Sequence, residues 1–430
     1  MRERLSGTVR AINGTPDEFE TYAKEGFAKS LLDKETAEQR RKWFETTRAE
    51  YGTLQLGRAA REDPMRVRLH FTGTKKNGAL VLDHEADLPH KLTALTIEPA
   101  AVDPPTGTPA LRPGMSVEEL ARETDVYVAR LAQTGAFSGA VLVAKSGRPV
   151  FQKGYGLSNR ADGIANTADT RFNVGSINKQ FTRAALALLA TAGKLTLDDA
   201  VEKHLRDYPN PEGRKTTIRQ LVTHQGGLAE WFRDPKFVGT PKSAFRTNHD
   251  FYQLVAPMPL RFPPGSRTEY CNACFVVLGE IIERVAGMSY ERYVQQHVLA
   301  PAGMNNSGFF QLDRPEPRMA IGYTRTAQGL APNFSLRGAG GNAAGGGFVT
   351  PADLLAFEQA MRGWRLLNAE WTSWFLNNNT RVSFGGGGEG VSAALLGDGT
   401  WTVVAMANLD TPAGSSVAQA LFSALTQGGS

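Results

Sequence analysis

The sequence predicts an α+β protein in two parts: a small unit of helices followed by a strand meander, then a larger unit with strands at both ends and helices between them. Three observations carry this. The first part of the chain shows two helical stretches and then four short alternating runs. Five prolines between Pro99 and Pro113, without periodicity, separate it from the larger unit. Beyond them, the paired apolar runs at Phe137–Ala144 and Pro149–Gly154 find strand-like counterparts only at Val391–Leu396 and Trp401–Ala407. That makes one antiparallel sheet built from both ends of the region and flanked by helices, with a helical part inserted. The expected organisation is a small α+β domain over 1–98, a Pro-rich linker over 99–115 and the main domain over 116–430.

In the small unit, Pro16 to Ser30 carries Phe19, Tyr22, Phe27 and Leu31 at helical spacing, and Thr36 to Tyr51 carries Trp43 and Phe44. The alternating runs are Leu54–Leu56, Val67–Phe71, Ala79–Leu82 and Leu92–Ile97, with Lys75-Lys76-Asn77-Gly78 as a hairpin turn between two of them. The helices-then-meander order loosely resembles cystatin/NTF2-like domains. In the large unit, Ser116 caps a helix reaching about Thr134, with Glu119 at the capping-box position. Ser146-Gly147 turns the first strand pair. Ser176 to Ala192 reads as a long apolar helix ended by Gly193. Further helices are expected at Ile218–Thr223, Asp250–Ala256, Ala273–Val285, Tyr290–Leu299 and Ala352–Arg362.

Composition excludes several classes. The 430 residues are 41% hydrophobic and 21% charged, which fits a globular chain and not a disordered or collagen-like one. A net charge of +5 without a long basic run gives no footprint for nucleic acid. No apolar run is long enough for a membrane span, and the first residues lack the apolar stretch of a signal peptide. Two cysteines, Cys271 and Cys274, cannot make a disulfide framework, and they read as two buried thiols at a helix start. The seven histidines show no metal-ligand spacing, so neither a metal nor a cofactor is expected. No Lys follows Lys242 and no His follows His297, so a nitrogen base cannot come from the last third of the chain.

The chemistry-bearing motif is Ser176-Ile177-Asn178-Lys179 at the start of the apolar helix. Residues three apart share a helix face, so the two side chains can meet. A serine hydroxyl needs a base to take its proton, and a lysine buried among apolar residues becomes one as its pKa falls. The helix start adds backbone N–H groups that can hold an oxyanion. Alone, Ser-x-x-Lys is weak evidence.

Its context is stronger. Tyr270-Cys271-Asn272 comes about ninety residues on, before the helix that starts at Ala273. Thr217 to Leu228 is similar to a family stretch "I-R-x-L-L-T-H-T-S-G-L", Pro301-Ala302-Gly303-Met304 to "P-L-G-M", and Ala344 to Leu354 to "A-G-G-x-x-S-T-x-x-D-L". In this order, Val117 to Leu421 resembles the serine β-lactamase and penicillin-binding-protein superfamily, nearest its class C-like esterases. The resemblance implies a β-lactamase/transpeptidase-like fold. It implies Ser176 as the acylated nucleophile, Lys179 as general base and Tyr270 as proton donor to the leaving group. Asn272 would position substrate or Lys179, and the position of His224 is usually structural.

The family's third motif, Lys-Thr-Gly or His-x-Gly, falls at Phe384-Gly385-Gly386, with Gly387 next. Its cation is therefore missing, and Arg381 is the nearest replacement in sequence. The Gly387 and Ser176 amides remain as an oxyanion hole, and Phe384, Gly385, Gly386 and Gly387 are the expected substrate edge. The implied activity is hydrolysis of a small-molecule ester or amide, with esters preferred because a cation that reads a β-lactam carboxylate is lost. A β-lactamase or D-amino-acid peptidase, and a non-catalytic binding protein that kept the fold, stand as alternatives. Export to the periplasm or beyond is what the family resemblance implies for location, and the oligomeric state is left open.

Overall fold

In the computed structural model, residues 2–63, 66–75, 78–85, 90–99, 109–112, 114–232, 234–326 and 329–426 are described. The chain divides into two compact units, Met1–Asp103 and Pro104–Ser430. Most of the Pro-rich segment, residues 100–108 and 113, lies outside the described residues.

In the first unit, helices Arg2–Asn13, Pro16–Gly26 and Ala37–Tyr51 precede a four-stranded antiparallel meander, Leu54–Asp63, Arg66–Gly73, Gly78–His84 and Leu92–Pro99. Thr15 and Thr36 start two of the helices with capping boxes, reciprocal bonds that satisfy otherwise orphaned backbone donors. The core is Phe19, Phe27, Phe44 and Tyr51 against Leu69, Leu80, Leu82 and Leu92. The helix Arg2–Asn13 was not expected from the sequence. The first strand runs well past Leu56. Phe71 pairs with Gly78, so a hairpin joins those strands, but Lys76 and Asn77 of the expected turn lie outside the described residues.

The second unit is built on a five-stranded antiparallel sheet in the order Val382–Gly388, Val391–Gly397, Trp401–Ala407, Gly139–Lys145, Arg148–Tyr155. C-terminal strands thus lie directly beside the first pair, as the two-ended sheet requires. Successive side chains alternate between the two faces. Ala140, Leu142, Leu395, Val404 and Met406 belong to the core that includes the Asn178–Thr191 helix and the inserted helical part. Val141, Val143, Ala394, Val403 and Ala405 pack with Val117–Gln133 and Ala413–Thr426. A sheet covered on both faces explains why its three inner strands read as continuous apolar runs. The box at Ser116 and Glu119 forms as expected. The sheet's edge strand Val382–Gly388 contains the third motif, whose family position implies a strand edging the cleft, and the helices Ala369–Phe375 and Ala413–Thr426 are additions to the sequence reading. Among the described residues no helix is long and apolar enough to cross a membrane.

Candidate active site

Ser176 sits in a short 3₁₀ turn, Gly175–Ile177, that leads into the helix Asn178–Thr191. The turn is pressed against the edge strand. A Cβ on Gly386 would overlap the carbonyl oxygen of Val174 and lie 2.8 Å from the Ser176 amide nitrogen. Only glycine lets this strand come so close, which is the physical content of the glycine run there. Ser176 and Gly387 end up on the wall of one cavity of about 480 Å³.

One helical turn on, Lys179 is 3% exposed. Its Nζ donates to Ser176 Oγ at 3.2 Å, to Asn272 Oδ1 at 2.7 Å and to the Ala344 carbonyl at 2.6 Å. It also lies 4.8 Å from the ring centre of Tyr270 and 5.3 Å from that of Phe275. Burial, only partly opposed by the charge of Glu230, brings its pKa down to about 7. A neutral lysine has two N–H bonds and one lone pair. Two carbonyl acceptors can hold the former while the lone pair faces the serine hydroxyl. Proton loss from Lys179 therefore reverses its bond with Ser176 without moving either side chain.

Tyr270 stands on the other side of Ser176 and donates its hydroxyl to Oγ at 2.6 Å. Withdrawal of that hydroxyl from water raises its pKa, so it stays protonated at neutral pH. The ring stacks on His224, with centroids 4.8 Å apart. His224 Nδ1 accepts from the Cys271 amide at 3.1 Å, and burial together with the nearby Lys179 pushes its pKa down to about 4. His224 is thus a neutral prop for Tyr270, in keeping with a structural role.

Asn272 begins the helix Asn272–Ala286 and is held by Glu230, which the sequence reading missed. The Asn272 amide nitrogen donates to Glu230 Oε1 at 2.5 Å, and its Nδ2 to Oε2 at 3.1 Å. With its Nδ2 so fixed, Asn272 must present Oδ1 to Lys179. Burial raises the Glu230 pKa. The only sequence signal was an acid shortly after the Gly226-Gly227-Leu228 stretch. The run Gly345–Gly347 packs its backbone here, with Val174 N donating to the Gly347 carbonyl at 3.0 Å, and carries Ala344 to Lys179.

Four expectations are corrected. Cys271 and Cys274 form a disulfide instead of two free thiols: the helix start brings their Cα atoms to 5.4 Å. Phe384 does not face the cleft. It is 7% exposed and packs on Phe357 and Phe375, because alternation along the strand turns it into the core. Gly385 and Gly386 are not cavity-lining either, and of the four expected edge residues only Gly387 is. Arg381 is exposed and off the cavity, whose cationic side chain is Arg337. The remaining wall is largely aromatic, with Trp231, Phe232, Phe251 and Phe310.

Among the described residues, His249, Glu280 and Glu283 have the donor atoms for a metal, within 4.8 Å of one another. His249 and Arg284 already bond Glu280, at 2.9 and 3.1 Å, and none of these residues lines the Ser176 cavity. His249 is far from the glutamates in the chain, which is why spacing did not reveal the group.

The family model described as Beta-lactamase matches residues 124–427. The putative penicillin-binding protein PbpX of Bacillus subtilis is 30% identical over 230 residues, covering 52% of this chain and 55% of that protein. The chain spans about half the length of the curated relatives it matches. A penicillin-binding protein from Bacillus halodurans is 28% identical with a TM-score of 0.62, over 72% of this chain and 99% of that one. A D-stereospecific amidohydrolase from Streptomyces sp. is 25% identical with a TM-score of 0.56, over 71% of this chain and 99% of that one.

Proposed function

The chain belongs to the beta-lactamase family, and from that premise we propose that it is a serine hydrolase that cleaves carboxylic esters through an acyl-enzyme on Ser176. The observation that carries this is the pair of hydrogen bonds to one oxygen: Lys179 Nζ at 3.2 Å and Tyr270 OH at 2.6 Å from Ser176 Oγ. A nucleophile between a near-neutral base and a proton donor is what acyl transfer needs. Neutral Lys179 takes the hydroxyl proton as Oγ adds to the ester carbonyl. The carbonyl oxygen gains charge facing the Ser176 and Gly387 amides. Tyr270 gives its proton to the departing alkoxide, and the protonated Lys179, whose Nζ lies 4.8 Å from the Tyr270 ring centre, returns one to the phenolate. Water then attacks the acyl-enzyme, its proton leaves by the same groups, and Ser176 is restored. Asn272, fixed by Glu230, holds Lys179 in line.

Esters are preferred over β-lactams because the third motif's own cation is absent at Phe384, and the cavity's guanidinium, Arg337, stands instead beside Gly388 at the other end of the glycine run. The likeness to the D-stereospecific amidohydrolase supports amides as the second reading. A short p-nitrophenyl ester is expected to give a burst with the wild type and none with Ser176→Ala, and a fluorophosphonate probe to label Ser176. Equal turnover by both proteins defeats the reading. Faster acylation by nitrocefin than by the ester replaces it with β-lactam hydrolysis, and absence of labelling with absence of turnover leaves a binding protein.

A further inference from the structure

The strand that brings Gly387 to Ser176 continues by one residue to Gly388, and there the cleft holds a charge that the acyl-transfer reading does not use. Arg337 comes just after the short 3₁₀ turn Asn333–Ser335. One terminal guanidinium nitrogen lies 2.7 Å from where a Cβ on Gly388 would sit, and Gly388 has a φ of +146°. The position is open to Arg337 because glycine stands there. Gly388 is in turn held by its amide, which donates to Thr411 Oγ1 at 3.2 Å.

Arg337 is half-buried, and among the described residues it has neither a hydrogen-bond acceptor nor an ion-pair partner. Its five N–H donors are therefore free to take an acceptor that enters the cleft. Three other cations near the cleft do have partners. Arg246 pairs with Asp313, Lys242 donates to the carbonyls of Phe237 and Thr240, and Lys179 is committed to Ser176, Asn272 and Ala344. Glu389 is the carboxylate whose field reaches Arg337, but it is exposed and forms no ion pair with it. Arg337 is the cationic residue on a wall that is otherwise mainly aromatic and small.

We propose that Arg337 binds an anionic group of the substrate, so that this cleft selects esters or amides pairing an apolar body with a carboxylate near Gly388. The inference rests on the serine hydrolase reading and names the substrate class for it. The third motif's cation has been lost at Phe384 and a guanidinium stands at the opposite end of the same glycine run. The apolar body meets Trp231, Phe232 and Phe310, and the anion supplies the acceptors that Arg337 lacks. A carboxylate has two oxygens for the planar guanidinium fork.

The test compares kcat/KM for p-nitrophenyl succinate and p-nitrophenyl butyrate, which differ by the carboxylate on the acyl side. A second pair, the butyryl esters of 4-hydroxybenzoate and phenol, places the carboxylate on the leaving group. In one of the pairs, Arg337→Gln is expected to lower the anionic-to-neutral ratio by about thirtyfold, chiefly through KM, the size of a lost charge-assisted hydrogen bond. Arg337→Lys should restore part of it, and Glu389→Gln should raise the ratio by about threefold. The responding pair identifies the side on which the anion sits. If neither ratio moves in the Gln variant or in Glu389→Gln, the proposal is overturned. Calorimetric titration of Ser176→Ala with ethyl hydrogen succinate against ethyl butyrate reads Arg337 without turnover. A nucleophile reading that fails there leaves the anion preference still decided.

Discussion

The two walls of the cleft are built on opposite plans. On the Ser176 wall each polar atom is held by another: Lys179 by three acceptors, Asn272 by Glu230, Tyr270 by Ser176 and His224. On the Gly387–Gly388 wall there are bare backbone, the exposed Glu389 carboxylate and a guanidinium without a hydrogen-bond or ion-pair partner among the described residues. The first wall is organised before anything binds, which suits groups that must move protons at fixed distances. The second is completed only by a ligand, which suits selection. Chemistry and selectivity are thereby carried by separate residues, and each can be broken alone.

The largest break is at Lys179. Lys179→Met should lower kcat by about 10³, in the range for loss of a positioned general base. The wild type should lose kcat/KM as the pH falls through about 7, because protonated Lys179 cannot accept the serine proton. Stability should track the same group. The unfolded chain holds this proton up to about the ordinary lysine value of 10.5, whereas the folded one releases it at about 7. Between these values the unfolded state binds more protons, so raising the pH favours the fold. Denaturant titrations should show wild-type stability rising across that window and a smaller rise in Lys179→Met. A Lys179→Met protein that keeps more than a tenth of wild-type kcat would refute the base assignment.

Next in size is Phe384→Lys, which rewrites the family's third motif. If the position faced the cleft, the change would install a carboxylate-binding cation and speed nitrocefin turnover. Because Phe384 packs on Phe357 and Phe375, it should instead bury a charge and cost about 3 kcal/mol or more, read as a lowered denaturation midpoint with no gain on nitrocefin. A well-folded variant with faster nitrocefin hydrolysis would show that the strand's alternation has been misread.

This contrast also explains what the sequence could reveal. Ser176 and Lys179 are three residues apart on one helix, so local spacing alone brings them together. Tyr270 and Asn272 came from a motif whose residues are neighbours in the chain. The sheet was legible because its inner strands are apolar on both faces. The edge strand Val382–Gly388 was legible only through its motif position and not through its pattern, since glycines carry no alternating side chains to mark a period. Arg337 and Glu230 were missed for a different reason. Each reaches the site from a loop, and only the tertiary fold brings Arg337 to Gly388 or Glu230 to Asn272. Phe384 shows the converse: matching a motif position did not fix which way the side chain points.

The smallest effect should come from the disulfide, although it lies between Tyr270 and the helix that Asn272 begins. Closing so short a loop restricts the unfolded chain little, so removing the bridge should cost about 2 kcal/mol at most. Cys271→Ser with Cys274→Ala keeps an oxygen where Cys271 Sγ now accepts the Cys274 amide at 3.0 Å, so the helix start retains its cap. Tyr270 is still stacked on His224, and Asn272 is still gripped by both Glu230 oxygens. If the Ser176 wall is braced this redundantly, the double variant should hold ester kcat within about threefold of wild type, the effect of a modest loss of alignment. A loss beyond tenfold, with the melting temperature nearly unchanged, would mean that the bridge aligns Tyr270 and Asn272. The pre-organised wall would then depend on an oxidised pair of cysteines as well as on Glu230 and His224.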